Sequence, residues 1–230
     1  MLRIGLLGGI SWESTAQYYR LLNEMVRDRQ GGLHSADCLL RSVDFAPIEE
    51  LQAQGLWEEA GTALAAAAVE LERGGAELLV LCTNTMHKVA PAIERAISIP
   101  FINVIDETAR AVTATGTATV GLLGTAFTME QDFYRDGLAA HGLEVLTPNA
   151  EDRATVHRVI YEELCLGVVS DDSRKEYQRI IAELVSRGAE GVILGCTEIE
   201  LLISQTDADI ALYPTTSIHA QAAVDAALAG

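Results

Sequence analysis

Two registers of apolar residues alternate along this chain: short unbroken runs, and longer segments whose apolar positions recur three and four apart. Unbroken runs suit strands buried on both faces of a parallel sheet, and the longer period suits amphipathic helices. Residues 3–7 read as a first strand. The Gly8-Gly9-Ile10-Ser11 turn follows it, then a helix with Ser11 as N-cap and Tyr18, Leu21, Leu22 and Met25 on its inner face. Residues 36–43 read as a second strand, 44–54 as a polar loop or short helix, 60–73 as an alanine-rich helix stopped by Gly74-Gly75, and 78–81 as a third strand. Thr83-Asn84-Thr85 then turns into a helix carrying Met86, Val89, Ala90, Ile93 and Ile97. After Pro100 the pattern restarts, with strands at 101–105, 119–123, 143–146, 192–194 and 210–213 and helices at 107–114, 129–141, 152–166, 174–187 and 218–228. Strands alternating with helices predict an α/β protein with parallel sheets, right-handed crossovers and helices on both faces. In such sheets ligands collect at the carboxyl ends of the strands.

The pattern is written twice. GAELLVLCTNTMHKV from Gly75 is matched by GAEGVILGCTEIELL from Gly188, and GLLGGISWESTAQYY from Gly5 by GLLGTAFTMEQDFY from Gly121. Cys82 follows Gly5 by 77 residues and Cys196 follows Gly121 by 75, while Pro100 and Pro214 each follow their cysteine by 18. Three landmarks in register predict two copies of one α/β unit, the first domain at 1–98 plus about 214–230 with a returning C-terminal helix and the second at 99–213. A pseudo-twofold relation between them would set the two Cys-Thr turns in equivalent positions across one cleft.

Composition narrows the partners. With 230 residues, 49% of them hydrophobic, the chain can bury a real core. A formal net charge of −17 and a pI near 4.6 argue against nucleic acid and against an anionic membrane surface. No apolar run approaches the roughly 20 residues of a membrane helix, and MLRIGLLGG is too short for a secretory leader, so a cytoplasmic location is expected. The four cysteines, 38, 82, 165 and 196, are then expected as free thiols. The glycine turn lacks the GxGxxG spacing, which gives no ground for a dinucleotide, although its backbone amides could approach an anion such as a carboxylate. No CxxC or HxxxH spacing supports a metal, and none is expected.

The chemistry is carried by the cysteines. A thiol that ends a buried strand and begins a helix has its thiolate stabilised by the helix N-terminus, and can serve as base or nucleophile. One nucleophile would need one cysteine. A matched pair suits inversion at an acidic C–H carbon, with a thiolate on one face and a thiol on the other exchanging roles with the configuration of the substrate, and titrating as a coupled pair. Thr83, Asn84, Thr85 and Thr197 are placed to hold an α-carboxylate and the enediolate-like charge that develops. Glu198 and His87 are candidates for orienting a thiol or receiving an ammonium group, or are ordinary first-turn residues. Cys38 and Cys165 read as packing. His34, His141, His157 and His219 read as surface or helix-face residues, and Trp12 and Trp57 as packing, with Trp12 beside the glycine turn where it could wall a pocket.

GLLGGISWEST, VLCTNTMHKVA and GVILGCTEIELL resemble the aspartate racemase branch of the cofactor-independent aspartate/glutamate racemase superfamily, over nearly the whole chain from Gly5 to about Thr216. GCTE in the second copy, where glutamate racemases carry GCTH, favours the aspartate branch. The resemblance implies two similar α/β domains with the active site between them, Cys82 and Cys196 as the acid/base pair, and no cofactor. It also implies that Thr83, Asn84, Thr85 and Thr197 contact an amino-acid substrate, with Ser11 and Gln52 lining the pocket, and that the protein is a homodimer. One departure bears on substrate. A basic residue expected after the second strand is replaced by the Ile48-Glu49-Glu50 region, and Cys165 stands near the position of an expected lysine. Neutral amino acids or a broad scope are therefore expected, with an aspartate- or glutamate-specific racemase as the alternative. A same-fold isomerase or decarboxylase of a diacid and a non-catalytic amino-acid-binding protein are the competing readings.

Overall fold

The computed structural model describes residues 1–230, which divide into two compact units: residues 1–103 with 219–230, and residues 104–218. In the first unit β1 (Ile4–Gly8), β2 (Cys38–Ser42), β3 (Leu78–Leu81) and β4 (Phe101–Ile102) form one parallel sheet in the order β2-β1-β3-β4. Side chains alternate across it as strand geometry requires. Ile4, Leu6, Leu78, Val80 and Cys82 face Tyr18, Leu22 and Val26 of α1 (Trp12–Gln30), together with Ala220, Ala223, Val224 and Ala227 of the C-terminal helix (Thr215–Ala229). Leu7, Leu79 and Leu81 face the other way, with Ile48 of α2 (Phe45–Ala53) and Ala60, Leu64, Ala67 and Leu71 of α3 (Trp57–Arg73). Each fully buried leucine contributes about 1.5–3 kcal/mol of transfer free energy, so the two faces hold the strand ends in place.

The first turn is built from its own sequence. Ser11 caps α1 by accepting from the Ser14 N–H at 3.3 Å. Gly9 sits at φ +92, and a Cβ there would lie 2.1 Å from the Val43 carbonyl oxygen. The Gly9 N–H donates to Thr15 Oγ1 at 2.8 Å. That amide is satisfied internally, so the expectation of a backbone anion cradle does not hold at Gly9. Trp12, expected as packing or as a pocket wall beside the glycine turn, is 67% exposed, which excludes packing, while Trp57 carries the Lys88 ammonium 3.9 Å above its ring.

The second unit repeats the plan with β5 (Thr119–Gly124), β6 (Glu144–Leu146), β7 (Gly191–Gly195) and β8 (Ala211–Pro214), all parallel, in the order β6-β5-β7-β8. Val192 and Leu194 face Val156, Val159 and Ile160 of α8 (Ala150–Glu162) and Tyr177, Ile180 and Leu184 of α9 (Asp171–Ser186). Ile193 faces Val104 and Ala109 of α5 (Val104–Thr113), Tyr134 and Leu138 of α7 (Asp132–Ala140), and Tyr213. Thr125 caps α6 (Ala126–Glu130) by accepting from Thr128 N–H, as Ser11 does from Ser14.

Several boundaries differ from the sequence expectation. The helix expected to run through Met86 to Ile97 is a 3-10 turn, Thr85–Val89, followed by a short α4 (Ala90–Ala96), because Pro91 has no N–H for the preceding turn and is accommodated only at a helix start. The strand expected to reach Ile105 stops at Ile102, and Val104, Ile105, Thr108, Ala109 and Val112 form the buried stripe of α5 instead. The helix expected over 129–141 breaks at Gln131, which is extended at φ −91 and ψ 147. The one expected over 152–166 ends at Glu162, with a 3-10 turn, Leu164–Leu166, closing on Gly167 at φ 75.

Candidate active site

Cys82 directly follows β3 and extends its ladder, donating its N–H to the Leu7 carbonyl at 2.9 Å. Its thiol is fully buried among Ile4, Leu6, Val80 and the C-terminal helix, with the Val80 carbonyl 4.0 Å away. The next residues fold tightly: Thr83 N–H donates to Leu81 O and His87 N–H to Asn84 O. Ser14 Oγ donates to the Cys82 carbonyl at 3.0 Å, and His87 Nδ1 lies 2.7 Å from the Thr83 carbonyl. Thr83, Asn84 and Thr85 are all buried, as is Gln52, whose amide donates to Met86 Sδ at 2.9 Å. The first unit thus gathers Cys82, Thr83, Asn84, Thr85, Gln52 and the Ser11 turn at the carboxyl edge of its sheet. Ser14, Thr15 and His219 belong to the same assembly but were not singled out for it by the sequence. The Ser/Thr spacing after each glycine turn, Ser11–Ser14 and Thr125–Thr128, carries part of that signal.

In the second unit Cys196 follows β7. Its thiol donates to Glu198 Oε2 at 3.0 Å, and Thr197 and Glu198 are buried beside it. Glu200, on α10 (Ile199–Leu202), accepts from the Thr216 N–H and the Ser217 hydroxyl, and burial raises its carboxyl to about 7. Cys165 packs against the cluster that contains Cys196. All four cysteines are free thiols, and no group of three or more His, Cys, Asp or Glu is placed to hold a metal.

The two thiols are not in matching positions. Leu7 and Leu123 occupy the same place in the two sheets, and so do their partners Leu81 and Leu194. The residue after Leu81 is Cys82, but the residue after Leu194 is Gly195, and Cys196 comes one later. Because side chains alternate, one residue changes the face. Cys82 joins the cluster containing Leu6 and Val80, whereas Cys196 joins the one containing Leu123 and Leu194. The reason is steric: a Cβ at Gly195 would stand 2.9 Å from the Leu123 carbonyl oxygen. Gly195→Ala therefore pushes β7 away from β5 and displaces Cys196. We expect a loss of about 1–3 kcal/mol, the usual range for overpacking, read by thermal or denaturant unfolding; a melting curve that matches the parent would contradict the steric account.

Neither thiol is poised as the sequence suggested. Burial pushes the Cys82 thiol up, and burial followed by the Glu198 charge pushes the Cys196 thiol up as well. The short segments that follow them, a five-residue 3-10 turn and four-residue α10, do not offset that desolvation. Both are neutral thiols at rest. The imidazoles are neutral too: burial lowers His87 to about 3 and His219 to about 4. His219, expected at the surface or on a helix face, lies on the C-terminal helix and is fully buried.

Most Lys and Arg side chains lie within ion-pair distance of a carboxylate. Lys88, three residues past Thr85, places its ammonium over the Trp57 ring.

The chain belongs to the Asp/Glu/Hydantoin racemase family, whose model matches residues 7–223. Among solved structures it is similar to a candidate Asp/Glu racemase from Yersinia pestis, at 52% identity and a TM-score of 0.94 over 99% of this chain and 100% of that one. It is also similar to an aspartate racemase homologue from Pyrococcus horikoshii OT3, at 35% identity and a TM-score of 0.89 over 99% and 100%. Among curated proteins it is 22% identical to the broad-specificity amino-acid racemase RacX of Bacillus subtilis strain 168, over 98% of each chain. These likenesses agree with the family and the aspartate-racemase side of it read from the cysteine motifs. No helix is long and apolar enough to cross a membrane.

Proposed function

We propose that the protein is a cofactor-independent amino-acid racemase in which Cys82 and Cys196 carry out a 1,1-proton transfer on a neutral or broadly chosen amino acid. The observation that supports this most strongly is the pair of buried thiols, each just past the third strand of a repeated parallel sheet, in a chain of this family. One thiolate takes the α-hydrogen as a proton, and the electron pair moves into the carboxylate as an enediolate. The other thiol gives its proton to the opposite face of the carbon. Nothing else is consumed, and the reverse reaction exchanges the two roles.

The groups around the thiols fit that division of work. Thr83, Asn84, Thr85 and Thr197 hold the α-carboxylate and its developing charge, while Ser11 and Gln52 line the pocket. A bound α-ammonium supplies the positive charge that brings a buried thiol down toward ionisation. At Cys196 the hydrogen bond to Glu198 marks where that thiol proton can go. The protein acts on free amino acids, as a homodimer in the cytoplasm.

Incubating the protein with each proteinogenic amino acid in deuterated water, followed by chiral chromatography and mass spectrometry, tests the reading. The antipode is expected to appear carrying deuterium at the α-carbon. Turnover of maleate or an arylmalonate without racemisation, or calorimetric binding of amino acids with no change in configuration, would replace it with the isomerase, decarboxylase or binding-protein reading.

A further inference from the structure

We propose that His87 is a positioning residue for the substrate-carboxylate groups and takes no part in proton transfer; this rests on the racemase reading above. The Thr83 carbonyl can only accept a hydrogen bond, so the His87 Nδ1 that lies 2.7 Å from it carries the proton. His219 is fixed in the same way from the other side. Its Nε2 lies 2.7 Å from the Ile102 carbonyl and carries the proton there, which leaves Nδ1 to accept from the Tyr18 hydroxyl at 2.9 Å. The two imidazoles then meet edge to face, with ring centres 5.6 Å apart at 72°, and Phe101 lies 5.5 Å from the His87 ring. The chain Tyr18–His219–His87–Thr83 is a packed series of neutral groups that orients one imidazole against one backbone carbonyl.

That carbonyl belongs to the turn that matters. Side chains hold two successive carbonyls of it, Cys82 through Ser14 and Thr83 through His87. With both fixed, Thr83, Asn84 and Thr85 have a single arrangement to offer the substrate carboxylate. Misplacement by about 1 Å in such a constellation costs on the order of 10²-fold in rate. A charged imidazole would be repelled by a second one at this distance and would stand desolvated, and burial accordingly holds both His87 and His219 far below the ordinary histidine value of 6.5. An acid/base catalyst needs a value near the working pH. His87 has the opposite property.

Two experiments test this. In ¹⁵N spectra of the unmodified protein, His87 is expected as a neutral imidazole protonated at Nδ1 from pH 6 to pH 8. An imidazolium signal, or an Nε2–H tautomer, would overturn the assignment whether or not the protein racemises anything. In kinetics, His87→Asn keeps an amide N–H near the Nδ1 position and His87→Gln places it near Nε2. The asparagine variant is expected to retain kcat/KM within about fivefold, and the glutamine and leucine variants to lose at least tenfold, with KM raised and the pH profile unchanged in shape. Rescue by glutamine and not asparagine, or a pH limb near 6.5 that disappears in His87→Asn, would overturn the proposal. Absence of racemisation by the unmodified protein while the ¹⁵N result holds would defeat the functional reading and leave the geometry of His87 standing.

Discussion

Cys82→Ala and Cys196→Ala are each expected to lose racemisation by about 10²–10⁴-fold or more, the contribution typical of a positioned acid or base. The two variants are not expected to behave alike. A single remaining thiol can still remove and return a proton on the face it serves, so solvent deuterium enters one enantiomer without inversion. Cys82→Ala and Cys196→Ala should therefore label opposite enantiomers, each far more slowly than the parent racemises its substrate. The pair of measurements separates two-base chemistry from a single nucleophile, for which one replacement would be silent. Full activity of either variant would end the mechanism. Folding should survive both, since Cys→Ala in a buried site removes one sulfur and costs about 1–2 kcal/mol; circular dichroism checks this before any rate is compared.

The asymmetry between the thiols explains what the sequence did and did not disclose. Gly75 precedes Cys82 by seven residues, and Gly188 precedes Cys196 by eight. The extra residue was visible, but its meaning was not, because it depends on which strand positions are paired across the sheet. Once Leu7 is set against Leu81 and Leu123 against Leu194, the insertion falls at Gly195, and the alternation of side chains sends the second thiol to the other face. Matched motifs therefore do not give matched environments. Cys82 has a backbone carbonyl at 4.0 Å and Cys196 a carboxylate at 3.0 Å.

The two parallel sheets, by contrast, were legible, though not the order of their strands. Repeated apolar runs between helices led to two parallel sheets, and both have the first strand flanked by the second and third. Boundaries were lost where local chemistry overrode the apolar period: at Pro91, at the extended Gln131, and where the Val104–Ile105 pair could serve a strand or a helix equally well. The least legible feature was electrostatic. A cysteine at a strand end was read as activated by the helix after it, yet the segments that follow are short and the desolvation of a buried sulfur is large, so both thiols are driven the other way. The burial of His219 was not legible either. Alanines surround it on a helix with little apolar periodicity, and only the Tyr18 and Ile102 partners show that it lies inside.

Neutral amino acids should outrun aspartate and glutamate by at least about 10² in kcat/KM. A second substrate carboxylate brought to the Cys196 turn meets Glu198, which is buried there and already accepts the thiol hydrogen. Burying a carboxylate without a cation costs several kcal/mol unless it takes up a proton. Most arginines and lysines are paired with an acid of their own, and Lys88 holds its ammonium over the Trp57 ring. The α-ammonium of any amino acid is favoured by the same carboxylate, so Glu198 helps the common part of the substrate and opposes an acidic side chain. Glu198→Gln is thus expected to slow turnover of neutral substrates and to narrow the ratio between neutral and acidic ones, since the repulsion is removed together with the acceptor. Competition assays with paired amino acids give that ratio directly, free of enzyme concentration. A parent enzyme that prefers aspartate, or a Glu198→Gln variant in which the ratio widens, would show that a cation reaches the side chain after all and that the carboxylate at position 198 has no part in selecting the substrate.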